Sequence, residues 1–164
     1  MPDQRLAEVR PVFRFIVALG AAGLVILGVG LLQFINFEPP GQHTGLQARI
    51  LGFWDYDQKT GAITGDPKDH FKTTERLAAE VDWAALPPDL LVGGHWFLGG
   101  FALDAGGVGP ARAGDFGPKP AVPLQPPSDR GTPPGRYTFV VERYSGLKPV
   151  EVLARASVLV IGGR

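Results

Sequence analysis

Residues 136–161 read RYTFVVERYSGLKPVEVLARASVLVI, and this stretch predicts a β-hairpin. Polar and apolar side chains alternate in two runs, residues 136–144 and 149–161, and the turn sequence SGLK at 145–148 joins them. A paired set of strands this long needs a second layer to cover its apolar face. The stretch therefore predicts a β-rich domain.

The second run indicates which face of the hairpin packs inward. A small or β-branched apolar residue recurs there at every second position: Val150, Val152, Ala154, Ala156, Val158 and Val160. This period of two predicts that these side chains face the core. Leu153, Leu159 and Ile161 alternate with them, so we expect part of the opposite face to be covered as well.

The start of the hairpin resembles the end of immunoglobulin-like and fibronectin-like sandwich domains. A Pro-Gly turn at 134–135 leads into the sequence GRYTF before the penultimate strand. In that family a tyrosine near the start of this strand closes a corner through its hydroxyl group, and Tyr137 holds the matching place. The resemblance implies a sandwich with Tyr137 as a structural corner, although the family's Cys-Trp-Cys pattern is absent.

Upstream segments add strands and one short helix. Residues 46–56, LQARILGFWDY, predict a strand, and the turn sequence DQKTG leads to a return arm at 62–64. Asp66 and Pro67 have the pattern of a helix N-cap and first helical position, and Phe71, Leu77, Ala78 and Val81 follow at helical spacing. The spacing predicts a helix over 67–81. The glycine-interrupted apolar run 90–103 predicts a buried strand pair.

Residues 105–135 contain seven glycines and eight prolines. This composition is incompatible with a helix or a central strand, and it predicts a long irregular loop. A functional loop and a loosely ordered spacer are both consistent with it.

The apolar run FIVALGAAGLVILGVGLLQFI at 15–35 predicts a transmembrane helix over 15–36. A helix of this length measures roughly 30 Å, the thickness of the hydrocarbon core of a bilayer. Bulky residues follow the run where a signal peptidase needs small ones, which favours a retained anchor over a cleaved signal peptide. Arg5, Arg10 and Arg14 precede the run and Arg49 is the first basic residue after it, which predicts a cytoplasmic N-terminus.

The predicted organisation is a cytoplasmic arm at 1–14, the membrane helix, a linker at 37–45, and an extracytoplasmic β-rich domain at 46–164. The localisation that follows is the inner membrane of a bacterium, with a periplasmic domain. Gly20, Gly23, Leu27 and Gly30 fall on one face of the membrane helix, and Ala18 with Ala22 adds a pair of small residues four positions apart. Small residues allow close helix packing in lipid, so this face predicts contact with another membrane protein subunit, although glycine is also simply common in membrane helices.

Composition excludes several classes of function. Residues 38–164 carry 14 acidic and 13 basic side chains, so no strong field would attract nucleic acid. The absence of cysteine excludes disulfides, thiolate metal sites and iron–sulfur clusters. No histidine or charge lies within 15–35, so the helix has no ligand for haem or a pigment. We therefore expect no cofactor.

Candidate metal and catalytic motifs are incomplete. Asp55, Asp57 and Asp66 resemble part of a calcium loop, but Lys59 and Thr60 occupy positions that need an oxygen ligand and a glycine; a polar turn explains the segment as well. His43, His70 and His95 are far apart and lack zinc-site spacing. Were His95 buried and protonated, Asp89 or Asp104 would be its expected partner.

No GxSxG, GxGxxG or GxxxxGK[ST] motif is present, so we expect no catalytic, cofactor-binding or metal site. The organisation is similar to single-span accessory subunits of bacterial photosynthetic and respiratory complexes, a likeness of architecture alone. It implies a non-catalytic subunit that stabilises a larger membrane complex. The alternatives are a free-standing envelope protein that binds a ligand, glycan or peptide through its β domain, with residues 105–135 as the binding element, and an anchored hydrolase, for which no catalytic constellation is visible.

Overall fold

A computed structural model describes residues 43–117, 120–125 and 131–162, together with Gly20 and Gly23. The chain divides into two units, Met1–Phe37 and Glu38–Arg164, and all nine strands of the described residues belong to the second. They are β1 (Arg49–Asp57), β2 (Ala62–Thr64), β3 (His70–Lys72), β4 (Leu77–Asp82), β5 (Leu91–Leu98), β6 (Phe101–Arg112), β7 (Ala121–Pro123), β8 (Gly135–Ser145) and β9 (Lys148–Ile161). The second unit is mainly β, as the sequence predicts.

The strands form two sheets. Sheet 1 has four antiparallel strands in the order β2-β1-β4-β7. Sheet 2 has five strands in the order β3-β9-β8-β5-β6, and all its pairs are antiparallel except β3 with β9. The predicted hairpins β1–β2 and β8–β9 and the predicted pair β5–β6 are confirmed.

One hydrophobic core lies between the sheets. Trp96 of sheet 2 has no solvent exposure, and its ring centroid lies 5.6 Å from that of Phe53 in sheet 1 and 5.0 Å from that of Phe139. Its indole Nε1 also donates a hydrogen bond of 3.3 Å to the Val122 carbonyl of β7. Trp96 therefore joins the two sheets by packing and by a buried polar contact, which its N–H group needs.

The predicted helix over 67–81 is wrong. The segment forms β3, a turn and β4. The first five residues of β4 are all buried, because it is an inner strand of sheet 1 and is covered on both faces. A continuous apolar run places apolar residues at helical spacing as well as at alternate positions, so the spacing alone does not distinguish the two structures.

Two register shifts in the β8–β9 pair change the predicted pattern of β9. Near the two shifts, the buried side chains of β9 are those of Glu151 and Leu153. Further along the strand, the buried side chains are those of Val158 and Val160, which belong to the other alternating set. A bulge adds one residue to one strand and thereby exchanges its faces. The expected cover over Leu159 and Ile161 is wrong, since both side chains are exposed.

The segment 105–135 is only partly irregular. β6 continues to Arg112, a single 3-10 turn follows at Ala113–Phe116, and β7 occupies Ala121–Pro123. β6 and β7 are both edge strands, the position in which proline and glycine are tolerated.

The predicted arm, most of the predicted membrane helix at 15–36, and most of the linker lie outside the described residues. Within the described residues, no helix combines the length and the apolar character required to cross a bilayer.

Candidate functional site

The chain crosses from sheet 1 to sheet 2 through Pro67–His70 and leaves an open cleft beside this crossing. The Lys68 amide donates to the Phe53 carbonyl of β1 at 2.7 Å, and the Leu159 amide of β9 donates to the Asp69 carbonyl at 3.1 Å. The cleft has a volume of ≈ 600 Å³. Its lining consists of Gly52, Phe53, Pro67, Lys68, Asp69, His70 and Ser157.

The charges beside this cleft are paired with one another. Lys68 Nζ lies 2.6 Å from Asp55 Oδ2 and 3.4 Å from Glu75 Oε1. The hydrogen bond to Asp55 raises the pKa of Lys68, and a backbone hydrogen bond from Lys72 lowers the pKa of Glu75, with Lys68 adding to this. Asp55 of β1 therefore forms an ion pair with Lys68 that holds the crossing segment to this strand.

The calcium-like segment forms a turn. Asp57 Oδ1 accepts a hydrogen bond from the Lys59 amide at 2.8 Å, and its Oδ2 accepts one from Thr60 Oγ1 at 3.0 Å. These bonds lower the pKa of Asp57. Side-chain oxygens that bond local backbone in this way are typical of polar turns.

His95 takes part in a polar cluster on sheet 2 with Glu142 and Tyr144, named here the His95 triangle. The three atoms at its corners are His95 Nδ1, Glu142 Oε2 and Tyr144 Oη, and they are separated by 3.3, 3.1 and 3.2 Å. His95 is 34% exposed, whereas Glu142 is 7% exposed and Tyr144 is buried. Burial raises the pKa of Tyr144, and the Glu142 carboxylate raises it further.

A carboxylate that the sequence did not indicate contacts His95. It belongs to Glu142 of the neighbouring strand β8, whereas the sequence directs attention to Asp89 and to Asp104, whose side chain lies outside the described part of the structure. Glu142 lies two strand positions from the residue opposite His95, which is Val140. Sequence reasoning missed this acid because cross-strand register was not known.

A second buried carboxylate holds the start of the domain. Glu151 Oε1 accepts a hydrogen bond of 2.7 Å from the Thr44 amide, and Glu151 Oε2 accepts bonds of 2.8 Å from Thr44 Oγ1 and 2.7 Å from Arg143 Nε. Burial alone would raise the pKa of Glu151, but the bonds from Arg143 and Thr44 outweigh it and hold this pKa below its ordinary value. The contact ties the chain at Thr44 to the hairpin β8–β9.

Large apolar side chains are exposed at one end of sheet 2, named here the apolar end: Phe101, Leu159 and Ile161, with exposures of 62%, 43% and 40%. Phe101 lies opposite Leu98, Leu98 opposite Tyr137, and Tyr137 opposite Val158. Phe101 therefore lies three strands from β9, in the row of the buried Val158, whereas Leu159 and Ile161 lie on the other face of β9.

Tyr137 closes the corner before β8. Its side chain is 1% exposed, and its hydroxyl donates a hydrogen bond of 2.9 Å to the Pro133 carbonyl four residues upstream. This is the type of contact that a tyrosine corner makes.

The predicted helix-packing face lies mostly outside the described residues. Of its members, Gly20 and Gly23 are described as helical and exposed, and no atom lies within 4 Å of a Cβ placed on either one. Ala18, Ala22, Leu27 and Gly30 are not among the described residues.

Comparison with known proteins gives no assignment. No protein-family model matches the chain, and no curated protein matches it significantly.

Proposed function

We propose that this chain is a non-catalytic accessory subunit that anchors in a membrane and stabilises a larger membrane protein complex. The observation that carries the proposal is the apolar end of sheet 2, where Phe101, Leu159 and Ile161 are exposed. Leu159 and Ile161 alternate along β9 and share one face, and exposed apolar side chains that lie side by side are typical of a protein–protein contact. Covering the exposed part of each of these side chains would contribute roughly 1 kcal/mol.

The membrane part of the proposal rests on the sequence. Residues 15–36 have the length and composition of a single transmembrane helix, and its small-residue face suits packing against a helix of another subunit. The distribution of arginine favours a cytoplasmic N-terminus and a periplasmic β domain. The complexes that such subunits serve in bacteria include photosynthetic and respiratory assemblies.

We infer that the domain has an immunoglobulin-like sandwich topology. In that fold, strands of one sheet follow the order A-B-E and strands of the other the order G-F-C, extended by C′ in variable-type domains. The orders β1-β4-β7 and β9-β8-β5-β6 fit this arrangement. Support comes also from the buried Trp96 on the strand in the C position and from Tyr137 at the start of the strand in the F position.

The proposal is tested by placing charge on the apolar end. In the double variant Leu159→Lys/Ile161→Lys, we expect the chain to fold and to lose its co-purifying subunits when membranes are solubilised in mild detergent, because lysine disfavours burial in a contact. The matched control is Leu147→Lys, whose side chain is 86% exposed in the β8–β9 turn, away from the apolar end. Equal recovery of partners with both variants contradicts the proposed contact.

The second candidate is a free-standing envelope protein that binds a ligand, glycan or peptide. The open cleft beside Pro67–His70 favours it, since ligands bind in concave sites that present a few polar groups. The cleft lies outside residues 105–135, which the sequence offers as the binding element. Migration of the solubilised protein as a monomer would favour this candidate.

A further inference from the structure

We propose that the cleft beside Pro67–His70 binds an extended peptide segment of a partner protein, which pairs as a short additional strand with the edge of β9. On the edge that faces away from β8, two hydrogen bonds enclose a stretch of this strand. The Leu153 carbonyl accepts a bond of 3.1 Å from the Ala48 amide, and the Leu159 amide donates one of 3.1 Å to the Asp69 carbonyl, where the pairing with β3 begins. The edge between these two bonds is named here the β9 gap.

Ser157 presents its backbone to the cleft within the β9 gap. The N–H and C=O groups of alternate residues in a strand point to the same side, so those of Ser157 point the same way as the bonded groups of Leu153 and Leu159. Within the described part of the chain, neither strand pairing nor the other backbone hydrogen bonds use the Ser157 groups on this side. Ser157 is exposed and lines the cleft. Open backbone groups of this kind are a template for another strand.

The cleft has room for a short strand. The two bonds that enclose the β9 gap lie six residues apart, which is about 20 Å along a strand. The volume beside the gap is ≈ 600 Å³. Phe53 and Pro67 form the apolar part of its lining. Because side chains of a strand alternate between its faces, we expect small apolar residues at every second position of the bound segment.

The charged side chains that line the cleft are already paired. Lys68 Nζ contacts Asp55 Oδ2 and Glu75 Oε1. His70 Nδ1 lies 2.6 Å from Asp69 Oδ1. The lining therefore favours an uncharged ligand that is recognised through its backbone, and an extended peptide is the ligand class that meets this requirement.

The β9 gap is separate from the apolar end, and peptide binding there does not depend on the contact proposed for the apolar end. An accessory subunit can use it to hold an extended segment of a neighbouring subunit. A free-standing binding protein can use it in the same way. A direct binding measurement therefore tests the gap independently of the native assembly.

The test uses the full chain in detergent micelles and, as the probe, a capped pentapeptide of alternating valine and threonine. We expect saturable binding that slows hydrogen exchange at the Ser157 amide. The Val158 amide should change less, because it points to the opposite side of β9, towards Tyr137 of β8. The same peptide with every amide N-methylated cannot donate hydrogen bonds and should bind about 10-fold more weakly or worse.

Two variants at one position separate the backbone from the side chain. Ser157→Pro removes the N–H group that points into the cleft and leaves the pairing of β9 with β8 intact, since proline is tolerated where a strand forms an edge. It should weaken peptide binding by about 10-fold or more. Ser157→Ala is the matched control: it loses the hydroxyl contact of 2.9 Å to Thr138 Oγ1 but keeps the N–H group, and its peptide binding should be unchanged.

Thermal unfolding establishes whether Ser157→Pro folds, and the exchange measurement on the unaltered chain decides the matter if it does not. The proposal is overturned if the pentapeptide shows no saturable binding, or if the N-methylated peptide binds equally well. It is also overturned if Ser157→Ala weakens binding as much as Ser157→Pro. Protection of the Ser157 amide by maltopentaose instead of the peptide would assign the cleft to a glycan.

Discussion

At the scale of single residues, Glu151 is a buried polar side chain that joins distant parts of the described chain. Its carboxylate joins Thr44, at the start of the domain, to Arg143 on β8. The side chain is 3% exposed, so these bonds form where water does not compete. We infer that Glu151 sets where the chain enters the β domain.

This contact makes stability depend on pH. The pKa of Glu151 in the folded protein lies below its ordinary value of 4.5, so its contribution is complete above pH of about 4.5 and is lost as pH falls through the folded pKa. Glu151→Gln removes the charge and should cost about 2 kcal/mol at neutral pH, and it should flatten the acid limb of the stability curve. Urea unfolding between neutral and acidic pH measures both effects; an unchanged acid limb in the variant would assign it to other carboxylates.

The corner residue Tyr137 gives a second prediction. Tyr137→Phe keeps the buried ring but removes the hydrogen bond to the Pro133 carbonyl, so the free energy of unfolding should fall by about 1 kcal/mol. Tyr56→Phe, at a partly exposed tyrosine of β1, is the control and should change it less. Equal changes in denaturant midpoint for the two variants would show that the corner contact contributes little.

The role of a residue was predictable from the sequence only where its contact partner is close to it along the chain. Tyr137 could be singled out because the Pro133 carbonyl that accepts its hydrogen bond lies only four residues upstream. Glu142 and Glu151 could not, because their partners lie on other strands or 107 residues away, as in the Thr44–Glu151 contact. A short window of sequence does not indicate which distant residues pair in this way.

At the scale of elements, residue composition and turn sequences predicted β1, β2 and β5, and alternation predicted the hairpin β8–β9. Sequence patterns failed at β4 and within β9. β4 is buried on both faces, which removes the alternation that identifies a strand. In β9, two register shifts exchange the faces, so a regular pattern of alternate residues does not describe the whole strand. Both failures arise from tertiary packing rather than from local preference.

The approach of β5 to β8 depends on a missing side chain. A Cβ at Gly94 would overlap the ring of Phe139, which has no solvent exposure. Gly94→Ala should therefore destabilise the domain by about 1–3 kcal/mol through overpacking. The control is Gly162→Ala, where no atom lies within 4 Å of the added Cβ. Thermal unfolding measures both, and an equal midpoint for the two variants contradicts the close approach.

At the scale of the whole molecule, the described β domain consists of two sheets around one core. The ion pairs of Lys68 and Arg143 hold segments of the domain in place. Among the described residues, the apolar end of sheet 2 and the cleft beside Pro67–His70 are accessible to other molecules. A domain of this kind is suited to contact with neighbours.

The sequence predicted a mainly β domain because long runs of alternating polar and apolar residues are typical of β-strands. It did not predict the apolar end, since exposure of Leu159 and Ile161 depends on which strands cover β9 and where they stop. β3 pairs with β9 only at its last three residues, Leu159–Ile161, and the side chains of Leu159 and Ile161 remain uncovered there.

The most direct test of the accessory-subunit proposal is the native size of the full chain extracted from its own membranes in mild detergent. Our account predicts that it migrates within an assembly much larger than its own 17.5 kDa, together with redox or pigment-binding proteins identified by mass spectrometry. Migration as a monomer, free of such partners, would contradict it.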